Sequence, residues 1–254
     1  MSEASSISSP RGIQSIEVGG QLLIALAHYG RPMALKELAG AAEMPPAKAH
    51  PYLVSFIKLG LVEQEAVSGR YGLGPLALQL GLISLQQYEP VRLATPRIEE
   101  LAVALGHTVA IAVWGSRGPT IVRVAEAPSP VHISMRHGTV MSLSGTASGR
   151  LFAAHLPAAL VRAALQREGE KMPDEALLED VRHKGLATSK DAVVAGVSAL
   201  AAPVFDDQGR LVLTLTAIGP SGSSFDLRPH GELAVPLKQA GVDLSRQLGW
   251  RSAN

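Results

Sequence analysis

Residues 35–74 constrain the fold of this chain more strongly than any other segment. Apolar residues recur there at helical spacing, and two short strand-like runs follow around a Ser68-Gly69 turn. The double proline Pro45-Pro46 can end one helix and begin the next, because proline is tolerated in the first turn of a helix but not in its interior. The predicted elements are helices over 35–42 and 46–59 and strands over 61–65 and 70–73. This order predicts a winged helix-turn-helix, a module whose second helix enters a DNA groove.

The helix over 46–59 is the predicted recognition helix. Its predicted buried face comprises Ala49, Leu53, Phe56 and Ile57. On the opposite face, Lys48 can bind guanine acceptors or phosphate oxygens. A guanidinium at Arg70, predicted at the tip of the wing, can reach a phosphate or the minor groove. The predicted DNA-facing residues are Ala47, Lys48, His50, Pro51, Ser55, Arg70 and Tyr71. For each of them, an ordinary solvated side chain is the competing interpretation.

Two features limit this predicted DNA-binding surface. Residues 1–75 contain six basic and six acidic side chains, so attraction to phosphates must come from where the charges lie and not from bulk charge. Pro51 removes one backbone N–H inside the recognition helix and disfavours helical geometry at His50. The helix is therefore expected either to kink at this point or to begin only at Pro51.

Two segments flank the winged module, which is predicted over residues 15–74 and begins with a helix over 17–29. The first is the polar tail over 1–14, which is expected to be disordered. A Leu-rich helix is predicted over 75–87, within a linker over 75–89. It is apolar on nearly all sides, so both of its sides should be covered. Either it packs inside one subunit, or it links two domains and pairs two subunits. The second interpretation is favoured, because a helix between small domains has few neighbours of its own.

The remainder of the chain, residues 90–254, predicts an antiparallel α+β domain. Strand-like runs joined by short turns alternate with helical segments, which is typical of hairpins covered by helices. Strands are predicted over 108–114, 120–125, 131–136, 196–205 and 210–217. Helices are predicted over 89–105, 147–155, 158–167, 174–184 and 231–248.

The sequence offers no support for an active site or a metal site. It has no cysteine, no Gly-x-Ser-x-Gly nucleophile elbow and no His-x-x-x-His pair, so thiolate, serine-hydrolase and typical zinc chemistry lack their residues. Asp206 and Asp207 look like paired carboxylates, but their Asp-Asp-Gln-Gly setting predicts a β-turn. We expect no catalytic residue, no metal and no cofactor.

The N-terminus is polar and lacks the apolar core of a signal peptide. No apolar run approaches the roughly 20 residues that a membrane span needs. The absence of cysteine is compatible with a reducing compartment. We therefore expect a cytoplasmic protein that does not enter the membrane.

A run of small residues, SGTASGR over 144–150, joins a predicted strand to a helix. Small residues let a ligand approach the backbone, and the unpaired N–H groups at the start of a helix attract an anion. The Gly-Lys-Ser/Thr ending of a P-loop is absent. A tight structural turn is the competing interpretation, and the spacing alone slightly favours it.

Five segments in order resemble the IclR family of bacterial transcriptional regulators, over about residues 15–248. They are LKELAGAAEMPPAKAHPYLVSFIKLGLVE, SGRYGLGPLALQLG, ATPRIEELAVALGHTVAIAVW, HGTVMSLSGTASGRLFAAHLP and VAGVSALAAPVFDDQGRLVLTLTAIGPSGSSF. Each segment is weak alone, but the series is specific. The family's recognition helix commonly carries Ser-Thr before a His-Arg pair. Here those places hold Ala47, Lys48, His50 and Pro51, so a different operator preference is expected.

The resemblance implies that the C-terminal domain is GAF-like and binds a small organic effector. Carried over by position, the effector-binding residues are Ala147, Ser148, Ser189, Val197, Ala199, Thr216 and Ile218. Met135 and Met141 are expected to form flexible walls. Some members have Asp at the place of Ser189 and Cys at that of Ala199, so this pocket is expected to be less polar and to suit an aromatic or aliphatic effector. Arg123 and Arg136 are candidate partners of a carboxylate, and a side chain that simply points into solvent is the competing interpretation for each.

We therefore expect a ligand-responsive transcriptional regulator, either a repressor or an activator, that binds double-stranded operator DNA as a dimer or tetramer. Its effector is expected to be a small carboxylate or aromatic compound. The alternative is an enzyme or small-molecule carrier that uses the GAF-like pocket and keeps the N-terminal module for protein contacts. Specific binding to a promoter fragment distinguishes the two.

Overall fold

A computed structural model of the protein describes residues 12–127, 133, 135–222 and 225–251. The chain divides into two compact units, with the boundary between Ser84 and Leu85. Each unit has its own hydrophobic core. Of the predicted tail over 1–14, the first eleven positions lie outside the described residues, and Gln14 already begins the first helix.

The N-terminal unit is the predicted winged helix-turn-helix. Its elements are helices α1 (Gln14–Tyr29), α2 (Leu35–Ala41) and α3 (Pro46–Leu59), strands β1 (Val62–Gln64) and β2 (Tyr71–Leu73), and helix α4 (Pro75–Gln87), which crosses the boundary. The two strands form an antiparallel hairpin, and Met33, just before α2, bridges to Tyr71. Leu22, Leu38 and Leu53 come from three helices and are fully buried, so the apolar stripes of α1, α2 and α3 form one core.

Helix α3 begins at Pro46 and continues through Pro51 without interruption. The prediction that the helix begins only at Pro51 is therefore wrong. The first turn forms earlier because the N–H groups of Lys48 and Ala49 donate to the carbonyl of Pro45, at 2.9 and 3.0 Å. A proline at the first helical position loses no intrahelical bond, so Pro46 can start the helix that Pro51 then continues.

The buried stripe of α3 differs from the predicted one at a single position. Ala49 and Leu53 are buried and Phe56 is partly buried, as expected, but Ile57 is 37% exposed. Tyr52 packs against the core instead. On a helix with 3.6 residues per turn, position 57 lies at the edge of the stripe that positions 49, 52, 53 and 56 form.

The C-terminal unit is the predicted antiparallel α+β domain. Its strands are β3 (Thr108–Trp114), β4 (Pro119–Ala125), β5 (Ala187–Lys190), β6 (Val197–Phe205) and β7 (Leu211–Pro220). Its helices are α5 (Glu89–Leu105), α6 (Ala147–His155), α7 (Ala158–Glu168), α8 (Glu175–Lys184) and α9 (Ala234–Gln247). The strands form one sheet in the order β4-β3-β7-β6-β5, with every neighbouring pair antiparallel.

The two faces of this sheet are covered by different helices, because side chains alternate along each strand. On β7, Leu213 and Leu215 belong to the core that includes α5 and α9. Thr216 points to the opposite face, where it hydrogen-bonds to Ser148 of α6. Phe152 of α6 is fully buried in the second core, on this same face. The face that carries Thr216 is therefore the one that meets the start of α6.

The observed strands differ from the predicted ones in two places. The short strand β5 was not predicted, because its four residues, ATSK, lack alternating large apolar side chains and pair only with β6. Ile133 and Met135, from the predicted strand over 131–136, lie outside any strand, and positions 131, 132 and 134 lie outside the described residues. The free edge of β4 is used instead by residues 138–141, whose backbone bonds to Pro119 and Ile121.

Candidate functional site

The C-terminal unit contains a cavity of about 490 Å³ between the start of α6 and strands β5, β6 and β7. The structure brings together in its lining all nine residues that we predicted as effector-binding. They are Met135, Met141, Ala147, Ser148, Ser189, Val197, Ala199, Thr216 and Ile218. Ser189 and Ala199 pair across β5 and β6, and Ala199 pairs in turn with Ile218 of β7, so three strands form one wall.

The start of α6 forms the opposite wall. Thr146 caps the helix, since its hydroxyl accepts a hydrogen bond from the N–H of Gly149 at 3.0 Å. Ala147 and Ser148 follow it, and both line the cavity. The first N–H groups of a helix have no intrahelical partner and carry the positive end of its dipole, so this wall favours an anionic or electron-rich group.

The segment from Ser142 to Thr146 passes directly over α6 at Gly149. A Cβ atom at Gly149 would lie 2.1 Å from the carbonyl oxygen of Ser142 and 2.7 Å from the Cα of Leu143. Only glycine permits this approach, because both obstacles are backbone atoms that cannot rotate away. The small residues seen in the sequence therefore have a packing reason at Gly149.

Polar groups in the lining are few, and most are hydroxyls. The hydroxyls of Ser148 and Thr216 hydrogen-bond to each other between α6 and β7. Arg136 is exposed and carries the only charge among the lining residues that the structure describes. Arg123, the other candidate partner of a carboxylate, does not line the cavity, and its guanidinium donates to the carbonyl of Val122. Of the two candidates, Arg136 is therefore the one that lines the cavity.

A loop that the sequence did not single out forms the mouth of the cavity. Val193 and Val194 line it and yet are 61% and 58% exposed. Asp191, at the base of this loop, accepts hydrogen bonds from the Ser221 hydroxyl at 2.7 Å and the Gly196 N–H at 2.8 Å. These bonds, first that from Ser221, lower the pKa of the Asp191 carboxyl below its ordinary value. The sequence feature that could have drawn attention to this loop is the pair of adjacent valines, Val193 and Val194.

The predicted DNA-facing residues of α3 lie together on its solvent side. Ala47, Lys48, His50, Pro51 and Ser55 are all exposed. The Lys48 ammonium has no ion-pair partner within the described residues, whereas the Ser55 hydroxyl donates to the carbonyl of Pro51 at 3.0 Å. The helix therefore presents a cation near its start, where a recognition helix approaches base edges.

The two predicted contacts from the wing need correction. Tyr71 is only 4% exposed and belongs to the core of the N-terminal unit, so it cannot offer its side chain to DNA. Arg70 does not lie at the tip, because its carbonyl accepts from the Glu65 N–H at 2.8 Å and closes the hairpin. Val67 occupies the tip and is 98% exposed.

The Arg70 guanidinium instead lies 3.6 Å from the carboxylate of Glu37, in the first turn of α2. Arg31 forms a second ion pair with the same carboxylate. The hydrogen bond from Arg31, with the charge of Arg70, lowers the pKa of Glu37 below its ordinary value. All three side chains are well exposed, and surface pairs of this kind are weak, so either arginine can exchange Glu37 for a phosphate.

A metal site is not evident among the residues described. They contain no group of three or more His, Asp or Glu side chains that could hold a metal ion. Asp206 accepts from the N–H groups of Gln208 and Arg210, so the predicted β-turn is confirmed. Within the described part of the chain, no helix is long and apolar enough to cross a membrane.

Comparisons with known proteins give one consistent result. Residues 15–66 match a family model described as the IclR helix-turn-helix domain, and residues 83–246 match one described as bacterial transcriptional regulator IclR C-terminal. A glycerol operon regulatory protein from Streptomyces griseus is 31% identical over 253 residues, covering 94% of this chain and 98% of that protein.

Solved structures agree with this result. The crystal structure of Pseudomonas aeruginosa HmgR is 35% identical, with a TM-score of 0.62, covering 95% of this chain and all of that one. An IclR homolog from Microbacterium hydrocarbonoxydans, crystallised with 4-hydroxybenzoate, is 17% identical with a TM-score of 0.74, covering 92% of this chain and 98% of that one. At that identity the second structure shows a shared fold.

Proposed function

This chain belongs to the IclR family of bacterial transcriptional regulators and is a DNA-binding regulator, and on that basis we propose how it is controlled. We propose that a small organic effector, bound in the 490 Å³ cavity, controls the affinity of the protein for operator DNA. The observation that carries this proposal is the convergence of nine residues, from α6, three strands and the segment before α6, on one cavity. The compound binds and leaves unchanged, and the protein acts in the cytoplasm, where its DNA lies.

The lining favours an effector with an apolar body and one acidic or electron-rich group. Methyl-bearing side chains such as Met135, Met141 and Ile218 cover most of the cavity, whose volume lies within the usual range for small-molecule sites. The start of α6 and the Ser148 hydroxyl offer hydrogen bonds to the acidic end, with Arg136 at the rim. A protein of the same fold holds 4-hydroxybenzoate, which has this chemistry.

The effector can act only through a difference in its affinity for two arrangements of the protein. A coupling free energy of about 1–3 kcal/mol is typical of such switches. We assign the transmission to α4, whose 13 residues run from the winged module into the C-terminal unit. A thermal-shift screen of aromatic and short-chain acids against the purified protein identifies the effector, and the shift at a known effector concentration reports its affinity.

Helix α4 is also proposed as the surface that pairs two subunits. Leu78, Leu80, Leu82 and Ile83 are 65%, 53%, 48% and 42% exposed, so the helix is not packed inside one subunit. A row of exposed large apolar side chains marks an interaction surface. A second copy is the partner that DNA reading requires, because two recognition helices bind the two halves of a pseudo-palindromic operator.

We expect Leu80→Ala to weaken self-association at least about tenfold, because burying a leucine contributes roughly 1.5–3 kcal/mol. Sedimentation equilibrium of the full chain measures the change. Val67→Ala is the matched control, since Val67 is also an exposed apolar residue but lies on the wing. Equal dissociation constants for Leu80→Ala and the unaltered protein would refute pairing through α4.

We expect Lys48→Ala to lower affinity for the operator by about 1–3 kcal/mol if the ammonium binds a base edge. Fluorescence anisotropy on the DNA upstream of the gene measures the loss, with a scrambled fragment beside it. Lys58→Ala is the control, because Lys58 carries the same charge in the last turn of α3, away from the base-reading end. An equal loss on both fragments would make Lys48 a phosphate contact, and no loss would remove it from the interface.

A further inference from the structure

Two charged side chains, Glu170 and Arg150, hydrogen-bond to one wall of the cavity, although neither of them lines the cavity itself. The wall is the segment Ser142–Thr146, of which Ser142 and Thr146 face the cavity. Glu170, in the loop after α7, accepts three hydrogen bonds on one carboxylate oxygen. They come from the Ser142 hydroxyl at 2.9 Å, the Ser144 N–H at 3.0 Å and the Ser144 hydroxyl at 2.8 Å. Glu170 therefore fixes the N-terminal side of Ser144.

Arg150 fixes the other side of the same residue. Its Nε donates to the Ser144 carbonyl at 2.9 Å, and its Nη1 donates to the Thr188 carbonyl at 2.6 Å. Thr188 precedes Ser189, which lines the opposite wall on β5. The guanidinium thus connects the segment before α6 to strand β5. Both of these bonds go to neutral carbonyls. Among the described residues, no acidic side chain forms an ion pair with the Arg150 guanidinium.

Ser144 lies between Ser142 and Thr146, which both line the cavity. The segment is confined from below at Gly149, where a Cβ would lie 2.1 Å from the Ser142 carbonyl oxygen. It is confined at the mouth as well, since a Cβ at Gly145 would lie 3.0 Å from Val193. Between these two contacts, rotation about Ser144 would turn the cap at Thr146 and the N–H groups that follow it. Glu170 and Arg150 oppose that rotation, together with the bonds that the Gly145 N–H and the Thr146 hydroxyl donate to Ser142 at 2.8 and 2.7 Å.

We propose that Arg150 and Glu170 are positioning residues of the effector site, which set the affinity for the acidic end of the effector without touching it. This inference rests on the proposed function of the cavity. Its basis is geometry, because both side chains hydrogen-bond to Ser144 and neither lines the cavity. The apolar walls from β6 and β7 do not depend on either side chain.

A first experiment needs no ligand. Hydrogen–deuterium exchange of the full-length protein compares Arg150→Met with the unaltered chain. We expect amides of residues 143–149 to exchange at least about tenfold faster, because each lost bond to a charged donor frees the segment. Peptides from α9 and from the N-terminal unit should keep their protection. Unchanged exchange in 143–149, or faster exchange everywhere, would overturn the assignment.

A second experiment uses 4-hydroxybenzoate and its neutral amide, 4-hydroxybenzamide, as titrants in calorimetry. Arg150→Met and Glu170→Gln should each bind the acid at least about tenfold more weakly and the amide with little change. Arg150→Lys should recover part of the affinity for the acid, because an ammonium can reach one of the two carbonyls. An equal loss for both titrants would indicate a merely structural role. If the unaltered protein binds neither, the assumed effector class fails, while the exchange experiment still tests the positioning role.

Discussion

Replacing Ala199 with tryptophan is expected to abolish the response to the effector while leaving operator binding intact. Ala199 lies on β6 between Ser189 and Ile218, and its side chain lines the cavity. An indole at this position occupies the space of the effector's apolar body. The surrounding strands are close-packed and cannot move apart to make new room for the effector. We expect the effector's affinity to fall at least about 100-fold, which corresponds to roughly 2.7 kcal/mol.

Calorimetry with the effector found by the acid screen measures this loss, and anisotropy on the operator tests the DNA-binding unit in the same sample. Ala163→Trp serves as the matched control, because Ala163 lies on the exposed side of α7 and does not line the cavity. Wild-type affinity in the Ala199→Trp protein would show that the effector binds elsewhere.

The second large effect is expected from Gly149→Ala. The new Cβ would meet the carbonyl oxygen of Ser142 at 2.1 Å and the Cα of Leu143 at 2.7 Å, so backbone must move. Overpacking costs about 1–3 kcal/mol, and the cost here should be near the upper end because the obstacles are backbone atoms. Against a gain of about 1 kcal/mol in helix propensity, we expect a net loss of about 2 kcal/mol. We expect lower thermal stability of the C-terminal unit and a loss of effector affinity, since the displaced segment is the one that caps α6.

Differential scanning calorimetry measures the stability change. Gly40→Ala is the control, because Gly40 is also helical but has open space where its Cβ would lie. That variant should gain about 0.5–1 kcal/mol. If Gly149→Ala is as stable as the unaltered protein, the close passage of the segment over α6 does not exist in solution.

The sequence predicts most of the fold because its apolar periods are long and regular. The bounds of α3, α4, α5, α6 and β3 agree with the structure residue for residue. The four-residue strand β5 could not be recognised, because edge pairing depends on a neighbour that is distant in sequence. The alternation over 131–136 was misleading for the same reason, since the edge of β4 is taken by residues 138–141.

The candidate sites were predictable only in part. The residues around the cavity followed from the family resemblance, and the structure brings them together, but their role in effector binding stays a prediction. Tyr71 and Arg70 were placed wrongly, because adjacency to a turn does not reveal which side chain enters the core or meets Glu37. The hydrogen bond between Glu170 and Ser144 joins residues that are 26 positions apart, so no local spacing pattern could predict it.

The central claim is that one end of this chain reads duplex DNA and the other alters that reading when a small molecule binds. Anisotropy on the labelled DNA upstream of its gene, titrated with protein at fixed salt with and without saturating effector, tests it most directly. We predict binding that only specific DNA competes away, and a change in its dissociation constant of about 5- to 150-fold with effector. Tight effector binding with an unchanged operator affinity, or catalytic conversion of the compound without DNA binding, would contradict the account.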